Sequence, residues 1–212
     1  MSTRERKRLA VVAVAGALLL TITPVHATPD ILARMAAVNP DLHTYTATLH
    51  AQITLRTFPF LATQIVGTIY RKEPDLEKLV VTSGLPGVAD QFSKLYPRIV
   101  SPSRWNDLFV VTVTGDDGTT SKLRLVPRKR GNVDHIDATV DDRTALISSM
   151  RWNYDNGGYA EMSQQYASID GNSLPTTQTG HIEEPGYVAD ITSTVDEYHL
   201  NVPLSDSAFE QQ

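Results

Sequence analysis

The chain contains no cysteine, and this absence removes several classes of function at once. Without a thiol there are no disulfides, no thiolate catalysis and no cysteine-based metal sites. A lipid anchor attached to a cysteine just after a signal peptide is likewise not expected. The sequence also lacks a Gly-x-Ser-x-Gly elbow, a P-loop and a Gly-x-Gly-x-x-Gly loop. We therefore expect a protein that is not an enzyme and that has no cofactor and no catalytic or metal-binding residues.

Long apolar runs are absent after the first 22 residues. The run Leu9–Ile22 follows a basic head, and Pro24-Val25-His26-Ala27 ends it with small residues at the two selective positions. This pattern predicts a secretory signal peptide over residues 1–27, with cleavage after Ala27. The alternative is an uncleaved membrane anchor, for which the run is short. We expect an exported, periplasmic domain over residues 28–212 without stable membrane insertion.

Positive charge is scarce. The chain has 19 Lys and Arg against 24 Asp and Glu, a net charge of −5. Residues 1–27 contain four basic residues and one acid, so their removal leaves 15 against 23, a net charge of −8. This acidic balance argues against a nucleic-acid partner.

The dominant pattern is that of short strands separated by turns. Tyr45–Leu55 alternates strictly between apolar and polar residues, which is typical of a half-buried strand. From Leu108 to Ser168 further strands follow too closely for parallel crossovers, so the segment predicts an antiparallel meander. Asp155-Asn156-Gly157-Gly158 is its clearest hairpin turn. The count is about ten strands with two short helices. We predict an α+β fold, a half-open antiparallel β-barrel with short lid helices.

Two helices are expected to cover that sheet. Thr28-Pro29-Asp30 starts the first with a capping hydroxyl and a proline at the first helical position, and Pro40 ends it. The second, Val88–Tyr96, carries Phe92 and Leu95 on one side. We expect it to lie over the open side of the barrel as a lid.

So few helices cannot cover the apolar faces of ten strands. The interior is then either an apolar cavity suited to acyl chains or a core filled by its own side chains, and the sequence leaves both readings open. The residues expected to line an apolar ligand cavity are Leu49, Ile53, Ile65, Ile69, Phe92, Leu95, Phe109, Val111, Met150 and Trp152.

Titratable residues give weaker signals. His135 and Asp137 share one strand face, which is either half of a metal site or a surface cluster. The acidic pairs 116–117, 141–142 and 183–184 lie in predicted turns, where Asp is favoured for local backbone bonding. The basic run Arg128-Lys129-Arg130 predicts a solvated turn or, alternatively, a contact for anionic lipid or a partner.

Several short motifs resemble the periplasmic lipoprotein carriers of the LolA/LolB family. Gly67-Thr-Ile-Tyr-Arg-Lys-Glu-Pro74-Asp is similar to the strand that ends in a basic residue and Pro-Asn or Pro-Asp in that family. Leu123-Arg-Leu-Val-Pro127-Arg-Lys, followed by 136–141, resembles its leucine–proline–lysine strand end and the next strand. Asn201–Phe209 resembles its closing segment. The similarity spans most of residues 28–212.

The resemblance implies an unclosed antiparallel barrel with a helical lid that shields the acyl chains of lipoproteins crossing the periplasm. It implies an acylated lipoprotein or lipid as ligand and membrane transport components as partners. The family has an arginine immediately before the proline, important for accepting lipoproteins, where this chain has Glu73. We expect Glu73 to be a solvated turn residue; the alternative is an ion pair with Arg71 or Lys72 at the barrel mouth and a different ligand.

The leading hypothesis is a carrier or binder of lipoproteins or lipids that acts in outer-membrane lipoprotein sorting. A non-catalytic envelope module that binds protein partners in a regulatory or structural role is the alternative from another class, and an exported enzyme is the third.

Overall fold

The computed structural model describes residues 29–57, 60–84, 87 and 99–209, and its main element is one unclosed antiparallel sheet of ten strands. The predicted half-open barrel is confirmed. The strands are β1 (Thr44–Leu55), β2 (Ala62–Lys72), β3 (Leu76–Ser83), β4 (Phe109–Asp116), β5 (Thr120–Pro127), β6 (Val133–Asp141), β7 (Leu146–Tyr154), β8 (Tyr159–Ile169), β9 (Asn172–Glu184) and β10 (Tyr187–Leu200).

Strand order follows the chain except at one junction. The order is β3-β2-β1-β10-β9-β8-β7-β6-β5-β4, so the last strand returns to lie beside the first. The free edges are therefore β3 and β4, and the chain leaves the sheet at one and re-enters it at the other. Tight turns join the meander strands, and at Asp170 and Gly171 both residues take positive φ, 48° and 80°. Two such residues fit a two-residue hairpin turn.

A bulge in the pairing of β1 with β10 changes which residues of β10 face inward. Thr46 pairs with His199, but Thr48 pairs with Asp196, so β10 has one residue more than β1 at this point. The extra residue is accommodated at Glu197, which has a φ of 49°. The bulge brings Val195 to the inner face beside Leu49.

The described residues include α-helices at Pro29–Ala36 and Trp105–Leu108 and short 3₁₀-helices at Pro102–Arg104 and Asp206–Phe209. Helix α1 (Pro29–Ala36) packs its apolar stripe, with Ile31 and Met35 each 4% exposed, against the inner face of the meander. Helix α2 (Trp105–Leu108) is a single turn before β4, so the first strand of the meander begins at Phe109 and not at Leu108 as predicted. Within the described ranges no helix is long and apolar enough to cross a membrane. The predicted lid helix Val88–Tyr96 lies outside the described residues.

A ladder of alternating charges crosses the outer face of β5 to β10. The residues that stand opposite one another in register are Arg124, Asp137, Arg151, Glu161, His181 and Asp190, and Arg56 completes the row. Arg124 Nε lies 2.8 Å from Asp137 Oδ1, and His181 Nδ1 lies 2.7 Å from Asp190 Oδ1. Opposite charges in direct cross-strand register favour this pairing over its alternatives. The pKa of Asp190 is lowered because it accepts hydrogen bonds from His181 and Arg56.

Candidate functional site

The concave face of the sheet contains two apolar clusters. The first lies on β1, β2 and β10 and contains Leu49, Ile53, Ile65 and Ile69, whose side chains are 0–4% exposed. Strand alternation places all four on the same side, because Leu49 and Ile53 are four residues apart and pair across to β2. Their inward orientation is as predicted. Their contact with a ligand stays a prediction.

The second apolar cluster lies between α1 and strands β4–β9. Val111, Met150 and Trp152 are 4–7% exposed, and Phe109 packs against them while partly buried. Trp105 of α2 is 1% exposed and donates its indole N–H to Val100 O at 2.9 Å. The remaining predicted cavity residues, Phe92 and Leu95, lie outside the described residues.

An apolar cavity of about 300 Å³ opens within this second cluster. Its wall includes three of the predicted residues, Phe109, Met150 and Trp152, together with Trp105, and polar groups occur mainly at the loop between β5 and β6, at Lys129, Gly131 and Asn132. Val111 does not line it. A cavity of this size with an apolar wall and a polar rim suits an apolar chain with a polar end.

A belt of buried polar side chains lies on the inner face of β8 to β10, beside the two apolar clusters, and sequence reasoning missed it. Ser193 donates to Gln178 Oε1, and Gln178 Nε2 donates to Gln164 Oε1, both at 3.4 Å. Gln164 and Tyr166 then donate to Ile147 O at 3.3 and 2.9 Å. The signal was present: Gln164 and Gln178 share parity with inward-facing Met162 and Gly180, so alternation alone points them inward.

A second cavity, of about 430 Å³, lies at the end of the barrel near α1. Its apolar lining includes Met35, Ile69 and Val195, and the polar belt forms part of its floor. Its charged wall comes from the β2–β3 hairpin, with Arg71, Glu73 and Glu77. This cavity is therefore amphipathic, in contrast to the smaller one.

Arg71 is the main charged group of this second cavity, and its side chain is only 7% exposed. Its Nη1 donates to Glu77 Oε2 at 2.9 Å and to Ile99 O at 3.0 Å, and its Nε donates to Glu73 Oε1 at 3.2 Å. Burial alone would lower the pKa of Arg71, but the two carboxylates outweigh it and raise the pKa. Burial, reinforced by Glu77, raises the pKa of Tyr45 far above its usual range.

Glu73 lies in the turn between β2 and β3 and is exposed, as predicted, with 36% of its side chain accessible. It also forms the ion pair with Arg71 that the sequence left as the alternative, so the two expectations hold together. Arg71 points inward because it continues the series Ile65, Gly67, Ile69, and it stands opposite Glu77 in the hairpin. Lys72, one position later, points outward and pairs with Asp206 at 2.6 Å. The hairpin register could have indicated the Arg71–Glu77 pair from sequence.

The histidine candidate for a metal site, His135, contacts two carboxylates. His135 Nδ1 lies 2.7 Å from Asp134 Oδ2, and its Nε2 lies 3.2 Å from Asp137 Oδ2, which Arg124 also contacts. In the part of the chain that the structure describes, no group of three or more His, Asp or Glu residues is placed to hold a metal ion. The acidic turn at Asp117 bonds Thr119 and Thr120, which lowers the pKa of its carboxyl group.

The comparisons with known proteins identify the fold. No protein-family model and no curated protein matches the sequence. Among solved structures, an outer membrane lipoprotein-sorting protein domain from Vibrio parahaemolyticus superposes with a TM-score of 0.62 at 10% identity, over 85% of this chain and 94% of that one. The fold is LolA-like.

Two further structures agree with that conclusion. A DUF1329 family protein from Desulfovibrio piger gives a TM-score of 0.56 at 15% identity, over 85% of this chain and 95% of that one. A LolA superfamily protein from Nitrosomonas europaea gives 0.54 at 9% identity, over 86% and 96%. At these identities the shared property is the LolA-like fold, which the sequence motifs had indicated.

Proposed function

We propose that this protein is an exported carrier that shields an acyl chain of a lipid or lipid-modified protein inside its half-open barrel. The observation that carries the proposal is the apolar cavity of about 300 Å³ lined by Trp105, Phe109, Met150 and Trp152. Burial of an acyl chain there removes apolar surface from water, at about 25 cal/mol per Å². The LolA-like fold supports the same reading.

The ion group of the larger cavity constrains the polar part of the ligand. One cation, Arg71, faces two carboxylates, Glu73 and Glu77, so the three groups carry a net charge of −1. An anionic head group that entered here would have to be desolvated beside this negative charge, which is costly. The hydrogen-bonding belt from Ser193 to Tyr166 offers uncharged partners instead. A ligand end that enters the larger cavity is therefore expected to be neutral, such as an ester, an amide or a glycerol hydroxyl.

This preference separates the chain from the carriers whose motifs it resembles. There, the resemblance implies a cation that helps to hold the cargo. Here Arg71 lies inside the barrel, but Glu73 and Glu77 occupy its donors. We infer that the protein does not use this arginine to accept cargo, and that its partners are an acylated protein or lipid and the membrane components that deliver it.

The titratable groups of the larger cavity are arranged for binding rather than for catalysis. Glu73 and Glu77 both accept hydrogen bonds from Arg71, and every fully buried side-chain N or O atom among the described residues has a hydrogen-bond partner. General acid–base chemistry requires groups whose protonation is free to change during a reaction. Residues 1–27 complete the proposal as a cleaved signal peptide that delivers the domain 28–212 to the periplasm.

Native mass spectrometry of the protein purified from a bacterial periplasm tests this function. We expect a population that carries a non-covalent acyl species with an uncharged head group, released when the protein is denatured. Retention of anionic lipids alone would contradict the head-group inference. A protein that retains no acyl species, even after incubation with monoacylglycerol, would contradict the carrier function and favour the protein-binding envelope module.

A further inference from the structure

The loop between β5 and β6 has an excess of positive charge that the carrier function does not use. Arg128, Lys129 and Arg130 are exposed, and Arg128 Nε donates to Asn106 O at 3.0 Å. Lys129 and Arg130 form no ion pair with any described residue, although the whole chain has a net charge of −5. On an acidic protein, a cluster of unpaired cations at one end is a local site for an anionic partner.

Two carboxylates beside this loop are already engaged. Asp134 bonds His135 at 2.7 Å, and Asp107, which follows the Asn106 that Arg128 contacts, pairs with Arg104 at 2.9 Å. Asp155, whose backbone N–H donates to Asn132 O at 3.0 Å, lowers the local excess by one charge. The loop retains a net positive charge after this subtraction.

Exposed apolar side chains adjoin the basic loop. Leu108, Val110 and Val126 are 37%, 44% and 44% exposed. Val110 and Val126 are direct cross-strand partners, so their side chains share the outer face, and Arg128 N–H donates to Leu108 O at 2.9 Å. β4 is an edge strand of the described sheet, and the side chains of this patch are exposed to solvent.

The mouth of the smaller cavity is formed by the same loop. Lys129, Gly131 and Asn132 line it on one side, and Trp105 and Trp152 lie deeper in its wall. One end of the barrel therefore combines unpaired cations, exposed apolar residues and the entrance to an apolar cavity. Cations attract an anionic bilayer, exposed apolar side chains insert at its interface, and a cavity mouth at that level allows an acyl chain to pass.

We propose that this surface, formed by Leu108, Val110, Val126 and residues 128–130, docks the protein on an anionic lipid bilayer and places the cavity mouth against it. The identity of the acyl ligand rests on the proposed function, but docking on the bilayer does not. Each cation near an anionic bilayer contributes about a fivefold factor in binding, so Lys129 and Arg130 together contribute about 25-fold.

Flotation with lipid vesicles tests the docking. The mature chain is mixed with vesicles of phosphatidylcholine alone or with about one third phosphatidylglycerol, at low and high salt. We expect binding only to the anionic vesicles, weakened by salt. Lys129→Ser/Arg130→Ser should bind about 25-fold more weakly. The control Lys122→Ser/Arg143→Ser removes the same charge from the other end of the β5–β6 hairpin and should stay within about twofold.

Two outcomes would overturn the proposal. The first is absence of binding to the anionic vesicles. The second is an equal loss in both double variants, which would show a response to net charge and not to this surface. The carrier function is tested separately, by uptake of a neutral brominated monoacylglycerol from solution by the parent protein. Absence of uptake with intact vesicle binding would contradict the carrier function and leave the docking surface standing.

Discussion

At the scale of single residues, Arg71 decides the character of the larger cavity. A guanidinium that is 7% exposed is stable there only because Glu77, Glu73 and two backbone carbonyls surround it. Removal of one member of a buried ion pair leaves the others desolvated and unpaired, which costs more than the net contribution of the intact pair. Adjacent Lys72 provides a contrast, because its pair with Asp206 is largely solvated.

We predict that Arg71→Met lowers the free energy of unfolding by roughly 3 kcal/mol, since the largely buried Glu77 loses its ion pair with the guanidinium. Lys72→Met, one residue away on the opposite face, should cost no more than about 1 kcal/mol. Urea unfolding of both variants measures the difference. Adding Glu77→Gln to Arg71→Met should restore part of the loss. Equal effects of Arg71→Met and Lys72→Met would show that the buried ion group does not stabilise the fold.

At the scale of elements, the strands were predicted from the sequence, whereas the charged group around Arg71 was not. Alternation along Tyr45–Leu55 and the turn residues predicted about ten antiparallel strands and their faces, but not the pairing of β10 with β1. The inward position of Arg71 also follows from alternation, but charged residues are rarely buried without a partner, and the partner depends on the β2–β3 register. The belt from Ser193 to Gln164 similarly joins three strands that only the folded sheet brings together.

The ladder of charged side chains on the outer face leads to a prediction for the pH dependence of stability. The pKa of Asp190 is lower in the folded protein than its ordinary value, because His181 and Arg56 bond its carboxylate. This contribution to stability is present above the ordinary pKa and is lost as pH falls through the folded pKa. We therefore expect the urea concentration at the unfolding midpoint to decrease as the pH is lowered below about 4. In Asp190→Asn this decrease should be smaller.

Asp170→Asn is the matched control for the ladder. Asp170 lies on an exposed turn, makes no ion pair with a described residue, and has a positive φ that Asn tolerates. It should leave the pH profile of the urea midpoint unchanged. If Asp190→Asn and Asp170→Asn give the same acid profile as the parent protein, the ladder does not contribute to stability.

At the scale of the whole molecule, an unclosed sheet leaves an interior that its own side chains fill only in part. The two clusters meet the expectation of a buried apolar face, while cavities of about 300 and 430 Å³ remain beside them. The sequence left open whether the interior was filled or hollow, because alternation assigns a side chain to a face without fixing the space in front of it. That space depends on the curvature of the sheet and on the position of α1.

Tryptophan fluorescence tests the central claim most directly, because both tryptophans of the chain, Trp105 and Trp152, line the smaller cavity. Titration with a monoacylglycerol that has a brominated acyl chain should quench them saturably. Met150→Gln places an amide in the cavity wall at similar volume, and an unpaired amide there should weaken binding at least about fivefold. Ser149→Gln, adjacent on β7 but facing outward, should bind like the parent protein. Absence of saturable quenching in the folded parent protein, or equal quenching of both variants, would contradict the account.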